Sequence, residues 1–354
     1  MNINVDQTRL IQDLEQLMLA HAPSGAESEV DRLMAERLVS NGLEATRDGV
    51  GSLILHIPGR GAAPPVAVSA HKDEIALIVK RVEDNGRLRV QPVGGLHPWA
   101  VGETPVEILT DQESVPGVLS VGSKHVSSES VAGQLREGKA LTWEQMWVET
   151  MLDSQHLMAA GVRVGRRVVL ARTQKKTWLL GHGEYVCGYN LDCRGGLAIL
   201  AEAARQLSLR PPAGDVYLIA SSEEEVGAHG VQFSVRNLPV ETLVAVDVAP
   251  VAEEYQVRNN GDPVLLCKDR VGVYHQGTVD RMIQLAGQLD FGVQLAIVTS
   301  YGSDASLAHA SGAVARAALL GFPGGNTHGF EICSIDGLVN TARLLLAYLW
   351  DDER

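Results

Sequence analysis

Near the N-terminus Leu10, Ile11, Leu14, Leu17 and Met18 recur at helical spacing, so the pattern predicts an amphipathic helix. A mainly apolar run at 66–70, Val-Ala-Val-Ser-Ala, then ends at a polar cluster and reads as a buried strand. From about residue 76 to 172 the texture changes to short β-like pieces. LRVQPV, TPVEILT, VPGVLSV and RVGRRVVLAR are punctuated by Gly, Pro and Asn, which suggests a small antiparallel barrel or sandwich. From about residue 173 onward apolar strands (GDVYLIAS, ETLVAVDV, VQLAIVTS, AVARAALL) alternate with helices. Residues 195–207 read as a helix, and Ile335, Leu338, Val339, Ala342, Leu345, Leu346 and Leu349 mark one face of a last helix, with Ser334 as its N-cap. Trp143, Met146, Trp147 and Met151 also read as a helix face, suited to core packing or a subunit contact. The expected architecture is α/β, a mixed, mostly parallel sheet flanked by helices, formed by residues 1–75 and 173–354. A β-rich domain at 76–172 interrupts it.

The length of 354 residues leaves room for two domains. With 45% apolar and 21% charged residues the chain is globular, not disordered. Its 43 acidic residues exceed 30 basic ones, for a formal charge of −13, so no broad basic field is available to nucleic acid. No apolar run approaches the ~20 residues of a membrane span, and the first residues lack the basic start of a signal peptide. The four cysteines are sparse and form no CxxC pair, which argues against a disulfide framework or a cysteine zinc site. A cytoplasmic location is expected, with no nucleic-acid or membrane partner.

Four acidic or histidine clusters follow predicted strands: His71-Lys72-Asp73-Glu74, Glu223-Glu224-Glu225, Val246-Asp247-Val248 and His328-Gly329-Phe330-Glu331. A fifth, Asn190-Leu191-Asp192-Cys193-Arg194, opens a helix. Ligands of open α/β sheets bind outside the carboxyl ends of the strands, so these clusters can converge on one crevice. Two histidines with three or four carboxylates suit divalent ions such as zinc, cobalt or manganese. A second Glu beside a ligand Glu is the proton acceptor that a metal-activated water needs, a division that fits Glu224-Glu225. Taken singly, His71 could be a structural hydrogen-bonder, Asp192 an N-cap and Glu223-Glu224-Glu225 a solvated charge run.

At these same residues the sequence resembles the M42 family of metallo-aminopeptidases, the tetrahedral and deblocking, glutamyl aminopeptidase-like group. Ser69-Ala70-His71-Lys72-Asp73-Glu74-Ile75 resembles the family's AHMDEIG, and Leu191-Asp192-Cys193-Arg194-Gly195-Gly196 its LDDRxG. Glu224-Glu225-Val226-Gly227 resembles EEVG, Ala245-Val246-Asp247 the strand-end ALD, and Gly302-Ser303-Asp304-Ala305 the GTDA segment. Val115 to Gly122, Met146 to Thr150 and Ala160 to Gly165 resemble segments of the family's inserted domain. The resemblance implies a zinc-exopeptidase-like fold with an inserted, PDZ-like small β-barrel. It implies two divalent ions per chain, zinc or cobalt with manganese admissible, bridged by Asp192. His71 and Asp247 would complete one ion, and Glu225 and His328 the other. Glu224 would be the general base, Asp73 would orient His71 from behind, and Ser303 and Asp304 would line the substrate site. It also implies a peptide substrate and a self-assembly of dimers into a larger particle, up to a dodecamer.

Three departures stand out. Cys193 occupies the place of the family's second Asp, where altered packing behind the ligands is expected. Lys72 replaces a Met, so a cation would either steer an acidic substrate group near the metals or point into solvent. His328 lies in Thr-His-Gly-Phe-Glu where the family has His-Ser-x-x-Glu. The expected function is removal of N-terminal residues from peptides. The alternatives are another amide hydrolase, such as a deacylase, on the same two-metal scaffold, or a metal-binding scaffold without turnover.

Overall fold

The computed structural model describes residues 3–39 and 44–354. The chain divides into two compact units, one of Met1–Glu74 with Lys176–Arg354 and one of Ile75–Lys175.

In the first unit, eleven strands form one sheet among the described residues. Its centre is parallel, in the order Val216–Ser221, Val66–His71, Thr242–Pro250 and Arg316–Gly325. The flanks are antiparallel, Leu53–Ile57 on one side and Glu331–Ser334 with Tyr185–Gly188 on the other. Parallel pairing is thus confined to the strands whose connections carry helices, and the short returns at both edges pair antiparallel. All six residues of Val66–His71 are buried, as an apolar run in a central parallel strand requires. The predicted strand AVARAALL starts later and runs longer, as Arg316–Gly325.

The N-terminal helix, Gln7–Leu19, buries Leu10, Leu14, Leu17 and Met18 and is capped by Asp6, which accepts from the Arg9 N–H at 3.1 Å. The last helix, Ile335–Leu349, begins at Ser334, whose hydroxyl accepts from the Gly337 N–H. Helix Leu191–Leu209 packs between these two and the central strands. Asp192 and Cys193 at its start have non-helical backbone angles, so regular winding begins close to the predicted residue 195. No described helix is long and apolar enough to cross a membrane.

The second unit is a closed antiparallel barrel of six strands: Ala76–Val82, Leu88–Val93, Trp147–Glu149, Val115–Ser120, Thr104–Ile108 and Arg167–Leu170. Leu77, Val79, Leu88, Val90, Val106, Ile108, Leu119, Val148 and Val168 fill its interior. The helix expected at 143–151 is absent. A single 3-10 turn, Trp143–Gln145, leads into strand Trp147–Glu149. Met146 and Val148 are buried, Trp147 lies under the Arg87 guanidinium, and Met151 is exposed. Alternation along a strand, not helical spacing, accounts for these positions.

Candidate functional site

The register of the central strands sets three residues at one level. Ser221 pairs with His71, and extending the pairing of Thr242 with Val66 brings Asp247 level with His71. Residues level on neighbouring parallel strands share a face, so His71 and Asp247 project together. Asp247 therefore lies inside its strand, near the end of the predicted ETLVAVDV, and that strand overruns the end of Val66–His71.

Asp192, at the head of helix Leu191–Leu209, reaches between the two histidines. Its Oδ1 is 2.9 Å from His71 Nε2 and its Oδ2 is 3.4 Å from His328 Nε2. His71 Nε2 is also 3.9 Å from Asp247 Oδ1, and His328 Nε2 is 3.7 Å from Glu225 Oε2. Donor atoms within 4.8 Å of one another form three overlapping groups: His71, Asp192, Cys193 and Asp247; His71, Glu224 and Glu225; Asp192, Glu225 and His328. Every residue expected to hold metal falls in these groups, as does Glu224.

Asp73 supports the arrangement from behind. His71 Nδ1 lies 3.1 Å from the Asp73 carbonyl oxygen and 3.5 Å from its carboxylate. A carbonyl can only accept, so Nδ1 donates and Nε2 is left to face the site. The Asp73 carboxylate also accepts from the backbone N–H groups of Glu224 and Glu225, at 2.9 and 3.2 Å, and from Ser24 Oγ at 2.7 Å. One side chain thus locks the turn carrying both glutamates to the strand carrying His71.

Glu331 was missed as a site residue. Fully buried, it accepts from the backbone N–H groups of Asp192 and His328, each at 3.1 Å, and so ties the two sides of the site together. Its position three residues after His328 was the available signal. Ser303 and Asp304, expected to line the substrate site, are held within the fold by internal hydrogen bonds. Both are buried; Ser303 caps helix Asp304–Ala310 and bonds Tyr274, and Asp304 accepts from Ser221 Oγ at 2.5 Å.

Lys72 is also corrected. Its side chain is fully buried, and its ammonium meets the Asp31 carboxylate, the Gly51 carbonyl oxygen at 2.5 Å and Glu27 Oε2 at 3.8 Å. Following His71 on an extended segment, it takes the opposite side, away from the site and from solvent. Replacing it with the Met of the resembling motif takes the cation from buried Glu27 and leaves Asp31 with the exposed Arg47, at 3.2 Å. Lys72→Met is expected to lose about 3–5 kcal/mol of stability in urea unfolding, with much of the loss recovered in Lys72→Met/Asp31→Leu.

The electrostatics are those of a site short of positive charge. Burial, reinforced by Asp192, pushes Glu225 up to about 8 and Asp247 up to about 7. Burial and Asp192 likewise raise Glu331 to about 8, and burial raises Glu224 well above the carboxylate range. Asp192 moves down: burial opposes this, but hydrogen bonds from His328 and His71 outweigh it, and against its own burial Asp73 is likewise lowered by His71, Ser24 and the Glu224 N–H. Acids whose folded pKa is raised bind more protons folded than unfolded between about pH 4 and 8, so stability falls as pH rises through that window. The chelated protein is therefore expected to unfold at lower denaturant at about pH 8 than at about pH 5. Added divalent metal should stabilise it more at the higher pH, because the ion replaces the missing protons.

Two imidazoles and a set of buried carboxylates, arranged around a shared Asp at the carboxyl end of a parallel sheet, define a metal-dependent hydrolase site. The family model for M42 glutamyl aminopeptidase matches residues 51–344. The chain belongs to this family, whose members are metal-dependent peptide hydrolases acting at N-termini. It is 26% identical to a putative aminopeptidase, FrvX, of Escherichia coli K12, over 83% of this chain and 82% of that one. It is 30% identical to lysyl aminopeptidase of Pyrococcus furiosus, over 58% of this chain and 56% of that one. The TET aminopeptidase from a marine sediment archaeon of the Thaumarchaeota has the same fold, with TM-score 0.88 and 22% identity over 97% of this chain and 96% of that one.

Proposed function

We propose that this enzyme is a co-catalytic two-ion aminopeptidase with Asp192 as the shared ligand. His71 and Asp247 complete one ion, Glu225 and His328 complete the other, and Glu224 is the general base. The observation that carries this reading is the division of the Asp192 carboxylate, one oxygen toward each histidine. The donor set fits: two imidazole nitrogens and carboxylate oxygens suit zinc or cobalt, with manganese a poorer match to the histidines. When bound, such a pair of ions supplies a water of lowered pKa and positive charge beside the scissile carbonyl. Glu224 takes the proton of the attacking water and delivers it to the departing amine. Asp73, through its bonds to the Glu224 and Glu225 N–H groups, keeps the base at fixed depth in the site.

The substrate is a peptide with a free N-terminus. Self-association is part of the reading: a related Pyrococcus horikoshii peptidase assembles into a tetrahedron or an octahedral shell. The barrel of this chain exposes Trp99, Met151 and Met158, apolar side chains suited to such contacts. A cytoplasmic location agrees with four free cysteines, three of them buried.

The test is a panel of aminoacyl-anilides and short peptides, each with a free or an acetylated N-terminus, assayed with and without added zinc or cobalt. Metal-dependent release of free amino acids from the unblocked substrates only is expected. Cleavage confined to the acetylated set would replace the aminopeptidase with a deacylase, and metal binding without turnover would favour a scaffold.

A further inference from the structure

Cys193 stands beside the bridging Asp192, and its sulfur belongs to the same donor group as His71, Asp192 and Asp247, all within 4.8 Å of one another. Two ligands of one ion sit no farther apart than the sum of their bond lengths, about 4.4 Å for a zinc–sulfur and a zinc–nitrogen bond. A tetrahedral ion sets such a pair about 3.6 Å apart, so the four donors can close on one ion with side-chain shifts of up to about an ångström. The four come from three separate chain segments: strand Val66–His71, strand Thr242–Pro250 and the start of helix Leu191–Leu209. The sulfur is held in this position. It is fully buried and donates to the Val246 carbonyl oxygen at 3.2 Å, next to Asp247. It also packs so tightly on Gly196 that a Cβ there would come within 2.4 Å of it. Among the described cations nearby, Lys72 and Arg194 make their hydrogen bonds away from the sulfur, although Arg194 lies close enough to share its field. Lys72 turns to Asp31, and the buried Arg194 turns to the carbonyl oxygens of Leu17 and Lys72.

We propose that Cys193 is a thiolate ligand of the ion held by His71, Asp192 and Asp247. This half of the site then has four protein donors, one of them soft, and the other half keeps only Asp192, Glu225 and His328. On binding, the metal–sulfur bond forms as the thiol proton leaves to solvent, so the ion replaces one further proton. A soft donor selects zinc, cobalt or cadmium over manganese and magnesium. The ion on the Cys193 side is accordingly the one that resists exchange. The proposal rests on the two-ion reading above, and the experiment separates the two.

The full chain, stripped by chelator, is titrated with Co²⁺ and followed by absorption, with bound cobalt measured after gel filtration. The expected result is an intense near-ultraviolet sulfur-to-cobalt charge-transfer band that grows with the weaker visible bands of bound cobalt. Cys193→Ser and Cys193→Asp should bind cobalt and show the visible bands but lose the charge-transfer band. Bound cobalt without a sulfur band in the unaltered protein would overturn the ligand assignment and leave the two-ion reading standing. A band that persists in Cys193→Ser would overturn it too, by assigning the sulfur to another cysteine. Absence of any bound cobalt would remove the two-ion reading and this proposal with it.

Discussion

Replacing Glu224 with Gln is expected to cut turnover by roughly 10²–10⁴-fold, the usual contribution of a general base, while leaving bound metal unchanged. Gln keeps the size of the side chain and its capacity to accept a hydrogen bond, but it cannot take a proton. The backbone at this position is fixed independently by the Asp73 carboxylate at 2.9 Å, so the turn survives the change. Glu224 groups with His71 and Glu225 but not with the Asp192–His328 pair, and its removal therefore leaves the shared carboxylate and both histidines in place. Glu225→Gln provides the contrast. That change weakens a ligand of the His328 side, so metal content should fall together with activity. Metal analysis and steady-state kinetics on the two variants distinguish base from ligand. Loss of metal from Glu224→Gln, or full activity in it, would remove the base assignment.

The second large effect is expected at Asp192. Its two oxygens face different histidines, at 2.9 and 3.4 Å, and Asp192→Asn removes one anionic donor from both halves at once. The ion left with only Glu225 and His328 should be lost, the ion beside His71 and Asp247 should bind more weakly, and activity should drop to background. His328→Ala touches only one half, and the expectation there is loss of one ion with the other retained. Inductively coupled plasma analysis of the purified variants checks the difference. Undiminished affinity for either ion in Asp192→Asn would show that the carboxylate is not shared.

Much of this was legible in the sequence where burial and periodicity act together. The run 66–70 is mainly apolar because its strand is covered on both faces, and the polar residue that ends it, His71, marks the end of the sheet. The closed barrel followed from short, turn-bounded β pieces, and the capped helices at both ends from simple 3.6-residue spacing. What escaped was set by orientation, not by composition. Lys72 and His71 are neighbours in sequence, yet strand alternation sends one into a buried ion pair and the other into the site. That Asp247 comes level with His71 depends on the register of their two strands, which the apolar pattern does not encode. Glu331 joins the local His328 N–H to that of Asp192, far away in the chain, and only the first of these bonds had a local signal. Tryptophans and methionines at 143–151 mimicked a helix face because a turn and a short strand happened to space them so.

The central claim is a pair of ions sharing Asp192. The most direct measurement is anomalous scattering from crystals of the zinc-loaded protein, collected on both sides of the zinc edge. The account predicts two peaks flanking the Asp192 carboxylate, one beside His71 and Asp247 and one beside Glu225 and His328. A single peak at full zinc occupancy, or peaks away from Asp192, would contradict it.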